Sequence, residues 1–314
     1  MNIVCVEPLG ISQEQFETLK KDFAAQGHNF TYFMDRKEDS LTLVARMKDA
    51  EIAVISNIKL SAETLQQCPH LQYLSVAFTG LDHIDLAYCH QHGITVQNAA
   101  GYSTTAVSEL AVGLMLDLLR QITHFDGTIR QGQGRGMFLG RELKGKTVGV
   151  VGTGAIGTAV IRLLNAFGCR VLAYNRSQHD EVKALGATYT DLDNLMQQSD
   201  IVTLHVPMTA ETHHLINAQR IAMMKPNAIL INTARGNVVD ISALADALKK
   251  GTISGAGIDV YEQEPPLPTD HPLLHAPNCV CVPHIGYASR EAFDIRADIV
   301  FDHVRNFLHK TCTK

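Results

Sequence analysis

Apolar positions along the chain follow two alternating patterns. Short, nearly continuous runs ("NIVCVE", "EIAVIS", "LQYLSVA", "ITVQN") are separated by stretches whose apolar residues recur at helical spacing, such as Gln13 to Gln26 and Leu41 to Asp49. A run that is apolar throughout is a strand buried on both faces. Its alternation with helices predicts a parallel sheet covered on both sides. A second series of runs follows: "KTVGVVG", "CRVLAYN", "DIVTLHV", "NAILINT", "TISGAGIDV" and "NCVCVPH".

Two sheets with separate cores fit this pattern better than one very wide sheet, and 314 residues exceed the usual size of a single domain. The break is predicted near Asn98, with a long helix from about Ser103 to Phe125 leading into the second unit. A last helix, Arg290 to about Lys310, lies beyond the second series and could return to pack on the first. The glycines of "RQGQGRG" predict a loop.

Composition narrows the function classes. The chain is 46% hydrophobic and 19% charged, without an apolar run long enough to span a bilayer, so no membrane partner is expected. "MNIVCVEPLG" reads as a strand and not as a secretion leader, which points to the cytoplasm. A net charge of -5 offers no broad footprint for nucleic acid. The seven cysteines are odd in number and lack a C-x-x-C pair, which argues against a disulfide scaffold and a zinc site. Cys279 and Cys281 share one strand face and read as small buried hydrophobes. Among the 15 histidines, His213 and His214 are adjacent and would diverge on a helix, and His83, His90 and His92 have no fixed carboxylate or thiol cluster around them, so solvated side chains are expected and no metal.

The strongest local motif opens the second series. In "VGVVGTGAIGTAVIRLLNAFG", Gly152, Gly154 and Gly157 form G-x-G-x-x-G between an apolar strand and an amphipathic helix. The first glycine permits a tight turn, the second lets a pyrophosphate approach the backbone, and the third lets helix and strand pack closely. The helix N-terminus adds exposed N–H donors and a favourable dipole. The next strand of such a fold commonly ends on an acid that accepts hydrogen bonds from the adenosine ribose and repels a 2′-phosphate. Here Asn175, Arg176 and Ser177 stand there instead, with a planar cation and two neutral polar groups. NADP(H) is therefore favoured and NAD(H) kept open; the bland alternative is that Arg176 is a solvated loop residue.

Three later segments carry reactive groups just past apolar strands: Arg235 in "INTARGNVVD", Glu264 in "GIDVYEQEPP" and His284 in "CVPHIGYASREA". Loops after the carboxyl ends of parallel strands border the ligand crevice, so these side chains could converge. Taken singly, Arg235 could pair with Asp259, Glu264 could be a surface carboxylate and His284 a satisfied buried histidine. Together they form a set suited to reducing a 2-oxo acid: a proton donor, a carboxylate to orient it, and a guanidinium to grip the substrate.

The succession "VGVVGTGAIG", "INTARGNVVD", "DVYEQEPP" and "PHIGYASREA" resembles the D-isomer-specific 2-hydroxyacid dehydrogenase family over nearly the whole chain, and "SVAFTGLDHIDL" resembles that family's substrate-carboxylate loop. The resemblance implies two Rossmann-like α/β domains. A flavodoxin-like substrate domain would comprise residues 1–98 and 287–314, with a dinucleotide-binding domain, 99–286, inserted. It implies Arg235, Glu264 and His284 as the catalytic residues. Cofactor contacts are implied from Gly152, Thr153, Gly154, Ala155, Ile156, Gly157, Asn175, Arg176, Ser177, His205, Pro207, Thr212, Thr233, Ala234, Asp259, His284 and Gly286. Substrate contacts are implied from Ala77, Phe78, Thr79, Gly80, Arg235, His284 and Tyr287. A homodimer formed largely through the helix around Ser103 to Phe125 is implied as well. Asp259 would orient Arg235 or the nicotinamide carboxamide, or else cap local backbone.

The expected activity is hydride transfer between NAD(P)H and a small-molecule 2-oxo acid, giving a D-2-hydroxy acid. His284 would act as acid in reduction and base in oxidation. Two other readings stay open. A corepressor-type nucleotide-sensing module uses the same fold, although no interaction tail is expected beyond the two domains. A formate dehydrogenase also shares the architecture, but its family pattern pairs the histidine with an amide where Glu264 stands here. No tryptophan exists to line a specificity pocket, which leaves Phe78 and Tyr287 as the bulky groups near the expected substrate.

Overall fold

The apolar runs fold as strands, and every pair of neighbouring strands is parallel. The computed structural model, which describes residues 1–312, divides into two compact units. One comprises Met1–Ser103 and the chain from Ala288 onward, and the other is Thr104–Tyr287. The last two residues of the expected closing segment, 313 and 314, lie outside the described residues.

The first unit holds β1 (Asn2–Cys5), β2 (Asn29–Tyr32), β3 (Ile52–Ile55), β4 (Tyr73–Val76) and β5 (Thr95–Asn98). They lie in the order β2-β1-β3-β4-β5, the flavodoxin-like arrangement. Burial follows position. The inner strands β3 and β4 are buried at every residue, whereas the edge strands β2 and β5 expose alternate residues. Helix Gln13–Ala25 begins at a capping box in which Ser12 and Gln15 satisfy each other's backbone N–H groups, and it buries Phe16 and Phe23. The final helix, Arg290–Cys312, returns to this sheet: Ser75 Oγ donates to the Val300 carbonyl at 3.0 Å, and Phe301 packs on Phe23 and Phe30.

The second unit holds β6 (Thr147–Val151), β7 (Arg170–Tyr174), β8 (Thr188–Tyr189), β9 (Ile201–Leu204), β10 (Ile229–Asn232), β11 (Gly255–Ile258) and β12 (Cys279–Cys281). Their order, β12-β11-β10-β9-β6-β7-β8, is the dinucleotide-binding order with one added edge strand. The chain reverses direction across the sheet between β6 and β9, so the loops after these two strands flank a topological switch point. Apolar clusters cover the sheet on both faces.

Local structure departs from the sequence pattern in three places. The long helix expected over Ser103 to Phe125 is two helices, Thr104–Arg120 and Ile122–Arg130, broken at Gln121 in a left-handed conformation. At the break the Asp117 carboxylate accepts from both the Thr123 backbone N–H and hydroxyl, satisfying a first-turn donor of the second helix. His213 and His214 occupy a turn and not a helix, and their rings stack at 4.0 Å instead of diverging. Cys279 and Cys281 are half-buried, with sulfurs 3.6 Å apart on the short edge strand.

Candidate active site

The glycines of the motif after β6 stand in different surroundings. A Cβ on Gly152, whose φ is +96°, would lie 2.6 Å from the His205 carbonyl oxygen, and one on Gly157 would lie 1.9 Å from the Gly152 carbonyl oxygen. Gly154, the N-cap of helix Ala155–Ala166, has no heavy atom within 4 Å of its Cβ position. Gly152 and Gly157 therefore serve the fold, while Gly154 leaves open space where an anion can meet the helix N-terminus. His205 N donates to the Val151 carbonyl at 2.7 Å, which brings the loop after β9 against this turn at the switch point.

The end of β7 is tied to the same turn. Asn175 Oδ1 accepts from the Thr153 N–H, and its Nδ2 donates to the Ser177 carbonyl at 2.8 Å and contacts the His179 ring. Thr153 Oγ1 hydrogen-bonds the Tyr189 hydroxyl, which also accepts from the His179 N–H. Asn175 thus shapes the loop, while Arg176 and Ser177 are exposed beyond it. Together with Pro207 and Thr212 they border a cavity of about 410 Å³. Thr212 Oγ1 donates to the Pro207 carbonyl at 2.6 Å and accepts from Thr209 N, holding that wall. Glu211 shares the cavity; its hydrogen bond from Thr209 and the nearby Arg176 charge draw its carboxyl below the usual range. Tyr189, His179 and Glu211 were not singled out in the sequence.

Two buried atoms at these strand ends have no hydrogen-bond partner: Thr233 Oγ1 after β10 and His205 Nδ1 after β9. Burial keeps the His205 imidazole neutral, pushing it down to about 3, and its other nitrogen contacts Thr203 Oγ1 at 2.9 Å. Open space at Gly154, two orphaned polar atoms and a cavity at the β7 end together fit a dinucleotide lying across the carboxyl ends of the strands.

Arg235, Glu264 and His284 follow β10, β11 and β12, three adjacent strands. Glu264 Oε2 lies 2.7 Å from His284 Nδ1; the imidazole side chain is 12% exposed and the carboxylate side chain 66% exposed. The His284 ring meets the Tyr287 ring edge-on at 5.2 Å. His284 has a φ of +54°, uncommon for a residue other than glycine. Arg235 Nη1 donates to the Ala234 carbonyl at 2.7 Å. Asn232, fully buried, shapes this loop by accepting from Ala234 N and donating to the Arg235 carbonyl.

The residues that hold these loops are buried neighbours. Asp259 accepts from Ile285 N at 2.6 Å and from Gly286 N at 2.9 Å, fixing the turn that carries His284. Burial pushes its carboxyl up, against the opposing pull of those two N–H donors and the His284 ring. The Tyr261 hydroxyl donates to the Val282 carbonyl at 3.0 Å, linking the loop after β11 to the end of β12. A Cβ on Gly236 would lie 1.9 Å from the Tyr261 carbonyl carbon and oxygen, so only glycine lets the Arg235 loop press on the Glu264 loop. Tyr261 and Gly236 were missed in the sequence, although both stand within the quoted motifs.

In the first unit, Ala77–Gly80 follows β4, with Ala77 and Phe78 buried and Gly80 partly exposed. Ala77 N donates to the Ile55 carbonyl at 2.6 Å, and Ala99 N donates to the carbonyls of both Val76 and Phe78.

Residues 112–286 match the family model described as D-isomer specific 2-hydroxyacid dehydrogenase, NAD binding domain. The chain belongs to this family. A glyoxylate reductase from Thermofilum pendens is 45% identical to it over 261 residues, covering 81% of this chain and 76% of that protein. D-lactate dehydrogenase from Aquifex aeolicus, solved with NAD and lactic acid, superposes with a TM-score of 0.84 at 32% identity, covering 99% of this chain and 96% of that one. An acyclic imino acid reductase solved with NADPH and D-Arg gives a TM-score of 0.88 at 28% identity, covering 99% and 98%. As a member of the D-isomer specific 2-hydroxyacid dehydrogenases, the chain is an oxidoreductase whose second unit is the nicotinamide-dinucleotide domain. Among the described residues no group of three or more His, Cys, Asp or Glu side chains could hold a metal ion. No described helix is long and apolar enough to cross a membrane.

Proposed function

We propose that the chain reduces small 2-oxo acids to D-2-hydroxy acids, reversibly, with NADPH favoured over NADH. The observation that carries this reading is the 2.7 Å pairing of His284 with Glu264 on neighbouring strand-end loops, with Arg235 on the next. The glyoxylate reductase relative supports a small 2-oxo acid, with glyoxylate the first to assay.

The dinucleotide, when bound, supplies hydride at its nicotinamide C4 for transfer to substrate C2. Gly152–Gly157 and the helix N-terminus would hold its pyrophosphate, Asn175–Ser177 and Pro207 its adenosine end, and Thr233 and Ala234 its nicotinamide end. His284 donates a proton from Nε2 to the carbonyl oxygen as that oxygen gains negative charge. Glu264 accepts from Nδ1, fixing the ring orientation. Arg235 grips the substrate and sets C2 in line, which a single-point lysine would do less well. The amides of Phe78, Thr79 and Gly80 bind the substrate carboxylate; the Ala77 amide, expected among them, is instead spent within the sheet on the Ile55 carbonyl.

Arg176 carries the NADPH preference, since its guanidinium can receive a 2′-phosphate and no acid stands on the β7 end to repel one. Glu211 is the carboxylate whose influence on Arg176 that phosphate must overcome. Homodimer formation is proposed through the surface of the two helices after Ser103 and the loop that follows them, where Ile122 and Ile129 on the second helix and Met137 and Leu139 on the loop are exposed.

A panel of 2-oxo acids assayed with NADPH and NADH tests the reading. Turnover of formate without turnover of any 2-oxo acid, or nucleotide binding without turnover at all, overturns it in favour of the formate dehydrogenase or corepressor reading. His284→Ala should lower kcat by about 10²- to 10⁴-fold with little change in cofactor affinity. Arg176→Ala should mainly raise the NADPH KM, and a large NADH advantage in the unaltered protein overturns the preference. Light scattering measures the oligomer directly.

A further inference from the structure

Arg296 is a buried cation in the first unit, 3% exposed, on the final helix. Its Nη2 donates to the Leu9 carbonyl at 2.7 Å, and its Nη1 contacts the Ala77 carbonyl at 3.3 Å and Ser56 Oγ at 3.2 Å. Ser56 Oγ also donates to the Ala77 carbonyl at 3.3 Å. The guanidinium lies over the Phe293 ring at 4.2 Å and within 5.6 Å of the Tyr102 ring. One side chain thereby joins segments that follow β1, β3, β4 and β5. Glu7, also buried, fixes the neighbouring turn by accepting from Ser56 N at 2.7 Å while pairing with Arg36.

Every carbonyl from Val76 to Thr79 is held. Ala99 N serves those of Val76 and Phe78, Arg296 with Ser56 serves that of Ala77, and Asn98 Nδ2 donates to that of Thr79 at 2.6 Å. These peptide bonds are trans, and in a trans peptide the N–H points opposite to the carbonyl of the same plane. Fixing the carbonyls of Ala77, Phe78 and Thr79 therefore fixes the direction of the N–H groups of Phe78, Thr79 and Gly80. The geometry points to Arg296 and Asn98 as positioning residues that preset the amides of Phe78, Thr79 and Gly80 for the carboxylate of a 2-oxo acid. Neither side chain need touch the substrate. Each sets a peptide plane whose far side does, and a cradle fixed before binding avoids the cost of ordering it during binding. This inference rests on the reading of Ala77–Gly80 as the carboxylate-binding loop.

The test uses the full chain and the variants Asn98→Ala and Arg296→Lys, the second keeping the charge but not the planar, multi-point grip. Read out are KM for glyoxylate, the inhibition constant of oxalate as a carboxylate probe, KM for NADPH, and Tm. Each variant should raise the glyoxylate KM and the oxalate constant about tenfold, the size of one charge-assisted hydrogen bond, with kcat changing less and the NADPH KM within about twofold. A lowered Tm with both carboxylate constants unchanged assigns the two residues a structural role only and overturns the inference, while the proposed activity stands. Absence of 2-oxo acid turnover and oxalate binding in the unaltered protein removes the parent reading, and the inference falls with it. Should Arg296→Lys fail to fold, Asn98→Ala decides the outcome alone.

Discussion

Gly236→Ala perturbs the contact that brings the Arg235 loop against the Glu264 loop. The added Cβ would lie 1.9 Å from the carbonyl carbon and oxygen of Tyr261 and 2.5 Å from its Cα, all backbone atoms that cannot rotate away. Real Cβ contacts essentially never fall below 3.0 Å, so the two loops must separate by about 1.1 Å. Tyr261 is itself tied to the Val282 carbonyl at 3.0 Å, just before His284, so the shift is passed either to Arg235 or to the Glu264–His284 pair. Misplacing reacting groups by about 1 Å costs up to ~10²-fold in rate, equivalent to about 2.7 kcal/mol of transition-state stabilisation. Overpacking separately costs about 1–3 kcal/mol of stability. The assay is steady-state kcat with glyoxylate and NADPH beside a thermal melt. Expected are a kcat lowered by about two orders of magnitude, a Tm lowered by several degrees, and an NADPH KM little altered, because the glycine turn follows a different strand. A kcat within about twofold of the unaltered protein together with an unchanged Tm would refute the coupling of these loops.

Gly154→Ala should leave the Tm of the cofactor-free protein unchanged or slightly raised, since nothing lies within 4 Å of the new Cβ, yet raise the cofactor KM about tenfold or more by blocking pyrophosphate approach. An unchanged KM would place the dinucleotide elsewhere. Glu264→Gln keeps an acceptor for His284 but loses the charge-assisted bond, and kcat should fall about tenfold or more with the cofactor KM unaltered. For Asp259 the sign follows from burial, which raises the folded carboxyl above its unfolded value. The unfolded chain then ionises first, so this group's contribution to stability is complete below the unfolded value and is lost as pH rises toward the folded one. Asp259→Asn should therefore flatten the loss of Tm with rising pH that begins near about pH 4, while lowering kcat because one of the two oxygens that accept from Ile285 and Gly286 becomes an NH2 donor facing an N–H. A steeper pH dependence in the variant would contradict the raised value.

Much of the scaffold was legible because its signals are local. The apolar runs marked the parallel strands, and G-x-G-x-x-G between strand and helix marked the turn at the switch point. Arg235, Glu264 and His284 each stand directly after such a run, and parallel topology places them on three neighbouring loops. What stayed hidden depends on contacts between distant segments. Nothing in "ARGN" announces that Gly236 meets the Tyr261 backbone, and nothing near Asp259 announces that its two N–H donors lie 26 and 27 residues on. The break at Gln121 escaped notice because apolar spacing continues across it, while the Asp117 carboxylate accepts from the Thr123 amide. His213 and His214 would diverge on a helix, but the turn they occupy stacks their rings.

The side chains assigned the chemistry are poorly placed to hold themselves. The Glu264 side chain is 66% exposed, and an exposed ion pair contributes about 0–1 kcal/mol, enough to orient a ring but too little to hold the turn on which it stands. His284 also sits at φ +54°, which costs a residue other than glycine about 1–2 kcal/mol. Asp259 holds that turn. It is 1% exposed and accepts from the N–H groups of Ile285 and Gly286, the two residues directly after the left-handed one. The turn that carries the proton donor is thus set from the backbone side, by a buried carboxylate one strand away, and Glu264 orients the ring upon it. Loss of Glu264 should therefore slow the reaction without melting the turn, whereas loss of Asp259 should do both.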